Sequence, residues 1–512
     1  MSKAKYEELK TRMAGIHDLR MAQAILGWDQ HTKMPPKAGE LRAEQLSTID
    51  RFSHELFIDD EIGALLEELR PYEEGLDSDS DEARLIRVTR HDYEKAKRVP
   101  SELRAEMTKT GAIALAAWVE AREKSDFSIF LPHLRKNVDL QHRYIDCFEG
   151  LGYDSAYDVL LDDFDEGLKT EAVREVFDEL KRELIPLIAE IAEHADRVDD
   201  SSLHGDFPIA DQRAFALVML ERFGFDHESW RLDPTVHPFA MSAGTRDIRL
   251  TTRYDETDLS VSLWATIHEF GHGFYESNVD PAFERTSLAS VTSMSLHESQ
   301  SRMWENLVCR GLPMWRFFYP KLQETFPAQF GDVELETYYG AINKVEPSFI
   351  RVEADEVTYN MHIILRFELE QEILAGDLSL DDLPEAWNSR MAEYLGVEVP
   401  DDTHGVLQDI HWSGGAFGYF PTYSLGNVIS VQLWDKARGE LSDLDAQFEQ
   451  GEFGDLSGWL RENLHRHGRK YTSKEMLERI TGGGMDPGPY IRYLKTKLGE
   501  IYGLPVETAA PA

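Results

Sequence analysis

Along most of the chain, apolar residues return every three or four positions with charged residues between them. The runs "DEARLIRVTRHDYEKAKRV" from Asp81, "TEAVREVFDELKRELIPLIAEIAEHADRV" from Thr170 and "ADEVTYNMHIILRFELEQEILAG" from Ala354 all hold this period. It is the period of an amphipathic helix with one buried face, so the fold is read as mainly α. Strand signals are scarce. The best is "RDIRLTTRY", Arg246 to Tyr254, Thr-rich and alternating, preceded by the turn-forming "HPFAMSAG" from His237. Loops are expected at "YEEGLDSDSD" and "RVDDSSLHGDFP". Neither is long enough to mark a domain linker. The length allows one large domain or two to three ordinary ones; residues 1–506 are read as a single domain and "ETAAPA", 507–512, as a frayed tail.

Composition narrows the class. With 512 residues, 42% apolar and 29% charged, the chain can bury a large core and should be a soluble globular protein. Its net charge of −40 disfavours nucleic acid and anionic lipid as partners, because both are themselves polyanions. Acidic clusters such as "DSDSDEAR" from Asp77 read as solvated faces, and the same acidity suits a protein working in concentrated salt. The N-terminus lacks the apolar core of a secretory signal, and no apolar run is long enough for a membrane span, so the expected location is the cytoplasm. Two cysteines, Cys147 and Cys309, are too few for a thiolate metal site. Any metal must use histidine and carboxylate.

The stretch "TIHEFGHGFYES" supplies both. On a helix, four residues advance about 400°, so His268 and His272 project roughly 40° apart and can chelate one ion. Glu269 lies beside them, where a carboxylate can take a proton from water and pass it to a leaving amine. Gly271 and Gly273 each cost about 1 kcal/mol in a helix interior, which implies that something approaches that backbone closely. A hydrolytic zinc site needs a third protein ligand and an open fourth position. Glu298, in "SMSLHESQSRMWENLVCRG", can provide it from a second helix that returns after a loop at "SNVDPAFERTS". Glu298 could instead only pair with Arg302 one turn on, and His297 is either a supporting partner or a surface residue.

"HEFGH", "HESQ", "DIRLT" from Asp247, "IRVEAD" from Ile350 and "GVLQDIHW" from Gly405 together resemble the signature motifs of the Taq carboxypeptidase family of metallocarboxypeptidases. The resemblance runs from "LGWDQHTKMPPKAGELRAEQ" through "HPF" to "SGGAFGYFPTYSLGN" and "HRHGRKYTSKEMLERITG". It implies a large helical zincin-like peptidase with a deep central cleft and a small β element beside the metal helix. Residues 1 to about 200 would form one side of that cleft. It also implies a cytoplasmic homodimer that removes single C-terminal amino acids from peptides with broad specificity. One divalent metal per chain, zinc or cobalt, would serve the reaction.

The resemblance also assigns further residues. A carboxypeptidase must hold a free carboxylate, which the planar fork of arginine does best; Arg351 and Arg249 are the candidates, and either could instead be a structural ion pair. "DIHWSGGAFGYFPTYS" offers His411, then Tyr419 and Tyr423, as donors to a developing oxyanion. Trp264, Phe270, Phe274 and Tyr275 read as packing residues. Two other readings remain open. One is an endopeptidase or oligopeptidase with the same helical chemistry. The other is a di-iron helical protein, because Glu269-x-x-His272 and Glu462-x-x-His465 both fit its ligand pattern.

Overall fold

The computed structural model describes residues 2–505, so the expected tail at 507–512 lies outside the described residues. The chain divides into two compact units, each made of three stretches. The first contains residues up to Lys97, Asp200–Ile342 and Leu433–Gly484; the second contains Arg98–Asp199, Asn343–Gln432 and the stretch from Met485. Residues 1–97 and 98–199 thus belong to different units. The second change of unit falls inside "RVDDSSLHGDFP", a segment too short to read as a linker from composition.

Both units are built mainly of helices, as the periodicity predicts. The three quoted runs form Asp81–Arg98, Thr170–Ala192 and Thr358–Ala375. The second stops short of its predicted end because "HADRV" leaves the helix for a short 3-10 turn at Ala195–Arg197. Helix ends carry the expected chemistry. Ser155 and Thr472 each close a capping box, and Gly224, Gly376 and Gly396 end helices in the left-handed region. No helix among the described residues is long and apolar enough to cross a membrane.

The first unit holds a three-stranded sheet: β1 (Trp230–Pro234), β2 (Ala240–Ser242) and β3 (Ile248–Thr252), in the order β1-β3-β2. β3 is the strand predicted from "RDIRLTTRY". It pairs parallel with β1 and antiparallel with β2. β2 lies within "HPFAMSAG", which local composition marks as a turn. Ala, Met and Ser have weak strand preference, so pairing with β3 rather than local propensity makes this strand. Beneath the sheet runs the helix Leu259–Ser277, which carries both motif histidines. Its Phe270 and Tyr275 are fully buried and Phe274 nearly so; Phe270 packs with Trp230 and Trp304, Phe274 with Trp304 and Tyr275 with His465, while Trp264 is half-buried with Arg310 4.2 Å from its ring.

Candidate metal centre

The histidine helix starts where the Asp258 carboxylate accepts from the Ser260 amide. Its two glycines explain what can lie against it. A Cβ on Gly271 would sit 2.5 Å from both the Gln300 carbonyl oxygen and Ser301 Cα. One on Gly273 would sit 2.7 Å from Ile248 and 2.9 Å from Leu250. Gly271 therefore admits the backbone of the helix Met294–Arg302, and Gly273 admits β3. The close approach demanded by the sequence is the approach that delivers Glu298.

Glu298 Oε2 lies 3.7 Å from His268 Nε2 and 3.4 Å from His272 Nε2. Ligands about 2.0–2.1 Å from one ion on the corners of a tetrahedron are about 3.3 Å apart, so the donor set fits a divalent cation with little adjustment. Among the described residues, these three side chains form the cluster able to hold a metal. Glu298 also bonds Arg302: Nε donates to Oε1 at 2.7 Å, leaving Oε2 toward the imidazoles. One Glu298 oxygen thus faces Arg302 and the other the two imidazoles. Burial opposes its ionisation, yet the charge of Arg302 and the two imidazoles hold it well below the usual carboxylate range. Burial pushes His272 down to about 3, so its ring is neutral, as a ligand must be.

A second carboxylate orients the first histidine. Glu305 Oε2 lies 2.9 Å from His268 Nδ1 and 3.3 Å from Arg302 Nη1, and its Oε1 lies 3.5 Å from Arg310 Nη2. Although burial raises its pKa, Arg302 and His268 bring Glu305 down to about 2, keeping it an acceptor. It stands on the π-helical turn Met303–Val308, whose wider spacing follows directly from the Glu298 helix. Such a partner fixes the ring and raises its basicity. We expect Glu305→Ala to weaken divalent metal affinity about 10–100-fold, read by competition with a chromogenic chelator. His297 is also inside: its ring lies 4.1 Å from that of His272, and its Nε2 is 3.2 Å from Glu276 Oε1, close but poorly aligned for a hydrogen bond.

Glu269 is buried between these groups. Burial, reinforced by the charge of Glu298 and opposed by His268, pushes it up to about 7. The backbone amide of Ala240 in β2 opposes that rise.

The second unit contains a different cluster. Arg351, buried on the short turn Arg351–Glu353, donates from Nε and Nη2 to Asp409 and from Nη1 to the Tyr359 hydroxyl at 2.9 Å. Asp409 also accepts from Arg366 Nε at 2.7 Å, and Gln408 accepts from the Arg351 amide and from Arg366 Nη2. Burial raises the Asp409 pKa, but the two guanidinium groups drive it far below its usual range. His411 is pushed down to about 4 by burial and is neutral. Its Nε2 lies 3.4 Å from the Tyr423 hydroxyl, and its ring stacks on Tyr419 with centroids 5.6 Å apart. Two arginines against one carboxylate leave this buried cluster with one net positive charge. Arg249 has a different setting, in the first unit. It makes two bonds to Asp247, at 2.7 and 2.8 Å, and lies 4.6 Å from the Trp28 ring, with Arg231 4.5 Å from that same ring.

The segment carrying His411 and Tyr419 is tied down by Glu370, which accepts from Trp412 Nε1 at 2.7 Å, the Gly418 amide at 2.9 Å and the Tyr157 hydroxyl at 2.6 Å. Gly418 has φ +83°, and a Cβ there would meet Leu160 at 2.8 Å, so glycine is required. Burial pushes Glu370 up to about 7 from an ordinary 4.5. A carboxyl pKa raised by folding stabilises the protein below the unfolded value, and that contribution is lost as pH rises through the folded value. Wild type should thus lose about 3 kcal/mol more stability than Glu370→Gln between pH 4.5 and 8, measured by denaturant unfolding.

Residues 8–498 match the family model described as carboxypeptidase Taq (M32) metallopeptidase. The chain belongs to the Taq carboxypeptidase (M32) family. It is 41% identical to thermostable carboxypeptidase 1 of Thermus thermophilus over 487 residues, covering 94% of this chain and 95% of that protein. To carboxypeptidase 1 of Bacillus subtilis it is 38% identical over 482 residues, with 94% and 95% covered. Its fold matches the crystal structure of the M32 carboxypeptidase from Deinococcus radiodurans at a TM-score of 0.93 and 39% identity, covering 98% of this chain and all of that one. Against Trypanosoma cruzi metallocarboxypeptidase 1 the TM-score is 0.92 at 31% identity, with 97% and 99% covered.

As an M32 protein, the chain is a metallocarboxypeptidase and hence a peptide hydrolase, which favours this reading over the endopeptidase alternative. The family implies a divalent metal, and the set of His268, His272 and Glu298 fits one. The di-iron reading fails. The helix holding Glu462 ends at Asn463 before His465 starts a 3-10 turn, so the two do not share a helix face. Glu462 is exposed and bonds Arg466, while His465 is buried against Gln300. Reasoning from sequence missed the roles of Glu305, Asp409, Arg366 and Glu370. Asp409 stands two residues before His411 in a motif already singled out, and this was the available signal.

Proposed function

We propose that this M32 carboxypeptidase removes single C-terminal amino acids from peptides, with His268, His272 and Glu298 holding one zinc ion and Glu269 as general base. The observation that carries the reading is the convergence of Glu298 Oε2 on both imidazoles, at 3.4 and 3.7 Å, beside a buried Glu269. When bound, the ion supplies Lewis acidity to water and to the scissile carbonyl. The ionised Glu269 carboxylate takes the proton from the attacking water and delivers it to the leaving amine nitrogen. His411, Tyr419 and Tyr423 donate to the oxygen that gains negative charge.

Arg351 receives the terminal carboxylate. Asp409 occupies the edge formed by Nε and Nη2, while Tyr359 takes one Nη1 hydrogen. One hydrogen on each of Nη1 and Nη2 then remains for a bidentate clamp, and the cluster's net positive charge favours an anion there. Arg249 is proposed as a second contact to peptide. Its Asp247 and Trp28 neighbours hold the guanidinium still.

The test is an assay on N-blocked peptides. Free C-termini should release one amino acid at a time, C-terminal amidation should abolish release, and a chelator should stop it until zinc is restored; equal cleavage of amidated peptides would refute the assignment. Zinc is favoured by the His₂Glu donor set, with cobalt the other candidate to be separated by metal analysis. A cytoplasmic location accords with two free thiols, Cys147 and Cys309. A homodimer, proposed from the family resemblance, is checked by sedimentation.

A further inference from the structure

The unit that carries the histidines also contains a cavity of about 450 Å³ beside β2. Met13, Ile16 and Met21 of the N-terminal helix line it, together with Phe57, Met241 and Val279. Arg20, Asp92, Glu276, Glu284 and Arg469 are the charged groups around it. Asp92 and Arg469 make two hydrogen bonds, at 2.6 and 2.7 Å, and Glu284 accepts from the side chain and amide of Thr245. Met13, Ile16, Phe57 and Val279 present one face of the packed core to it, and its lining includes three methionines, whose unbranched side chains adapt to differently shaped partners.

β2 connects this cavity to the reacting centre. It is an edge strand, paired with β3 on one side among the described residues. Phe239 and Ala243 bond Thr251 and Asp247, so the Ala240 amide between them points away from β3, on the side where it favours the ionised form of Glu269. Main-chain groups alternate sides along a strand, so the Ser242 amide and carbonyl face the same way as those of Ala240. Ser242 and Glu276, the latter one helical turn beyond His272, both line the cavity. Beyond the Ala240 amide, this edge offers the Ala240 carbonyl and the Ser242 amide and carbonyl, and the strand runs along the cavity for three residues, about 10 Å. An extended peptide can add to such an edge. A carboxypeptidase substrate has only one residue after the scissile bond, too short to follow this edge, so the part that follows it lies before the bond.

We propose that the cavity is the subsite for side chains N-terminal to the scissile bond and that it selects large apolar ones. This inference rests on the carboxypeptidase reading. Two sets of blocked dipeptides test it: blocked-Xaa-Ala with Xaa as Gly, Leu, Phe, Asp or Lys, and blocked-Ala-Xaa with the C-terminal residue varied. In wild type, kcat/KM should rise about tenfold or more from Gly to Leu or Phe in the first set and fall for Asp and Lys. Met21→Trp, which fills the cavity, should reduce the Leu-to-Gly ratio about fivefold while the ratios in the second set stay as in wild type. Met241→Ala, which widens it, should move the preference from Leu toward Phe. Circular dichroism and bound metal establish folding, and if Met21→Trp fails to fold, Met241→Ala decides. A flat response to Xaa in wild type overturns the subsite. So do unmoved ratios in the folded variants, or a shift confined to the second set. If no peptide releases a C-terminal residue, the carboxypeptidase reading itself falls.

Discussion

Glu269→Gln is expected to keep its metal and lose turnover by about a thousandfold or more. Glutamine is nearly isosteric and fills the same buried space, so the helix and the three donor residues should stay in place. The amide cannot accept a proton from water, and transfer by a well-placed base contributes about 10²–10⁴ to rate. Burial pushes the Glu269 pKa up to about 7, while a cation beside it would favour the ionised base. Metal content and kcat are the two measurements. Near-normal kcat in a fully loaded variant would move the proton transfer to another residue.

Arg351→Ala is expected to lower kcat/KM about a thousandfold for peptides with free C-termini and to erase the preference over amidated ones. A buried charge-assisted pair costs about 2–5 kcal/mol when one partner is removed, and the substrate carboxylate would lose its clamp. The variant should fold, because Asp409 keeps Arg366 Nε at 2.7 Å and its charge remains balanced. Arg351→Lys should recover little, since one ammonium group cannot serve Asp409, Tyr359 and a carboxylate in the geometry of a planar fork. The free-acid to amide ratio is the discriminating readout. If it survives in Arg351→Ala, a different group reads the C-terminus.

Each of these substitutions bears on a role whose legibility in the sequence differs. His268, His272 and Glu269 lie within five residues, and helical geometry alone settles which way they face. Glu298 was legible as a candidate because a second amphipathic helix follows a loop of suitable length. Its choice between Arg302 and the histidines could not be read, and the structure shows one oxygen committed to each. Glu305 was hidden by the π-helical turn, which shifts the residue spacing on which helix-face arguments depend. The Arg351 motif was visible, but its bond to Asp409, 58 positions away, follows from no local rule. β2 was missed for a related reason, since its three residues become a strand only when β3 lies beside them.

By itself the sequence determined whatever depends on neighbours a few residues apart: the helical period, the paired imidazoles with their adjacent carboxylate, and the small residues at Gly271 and Gly273. Those interactions are set by the rise and turn of one helix and need no knowledge of the rest of the chain. Tertiary structure alone decided which backbone fills the space at Gly271, which oxygen of Glu298 faces the histidines, and which acid steadies His268. It also decided how Arg351 and Arg366 come to share Asp409. Each of these brings together side chains from separate elements, where burial and packing select one arrangement among many that the local pattern allows equally well.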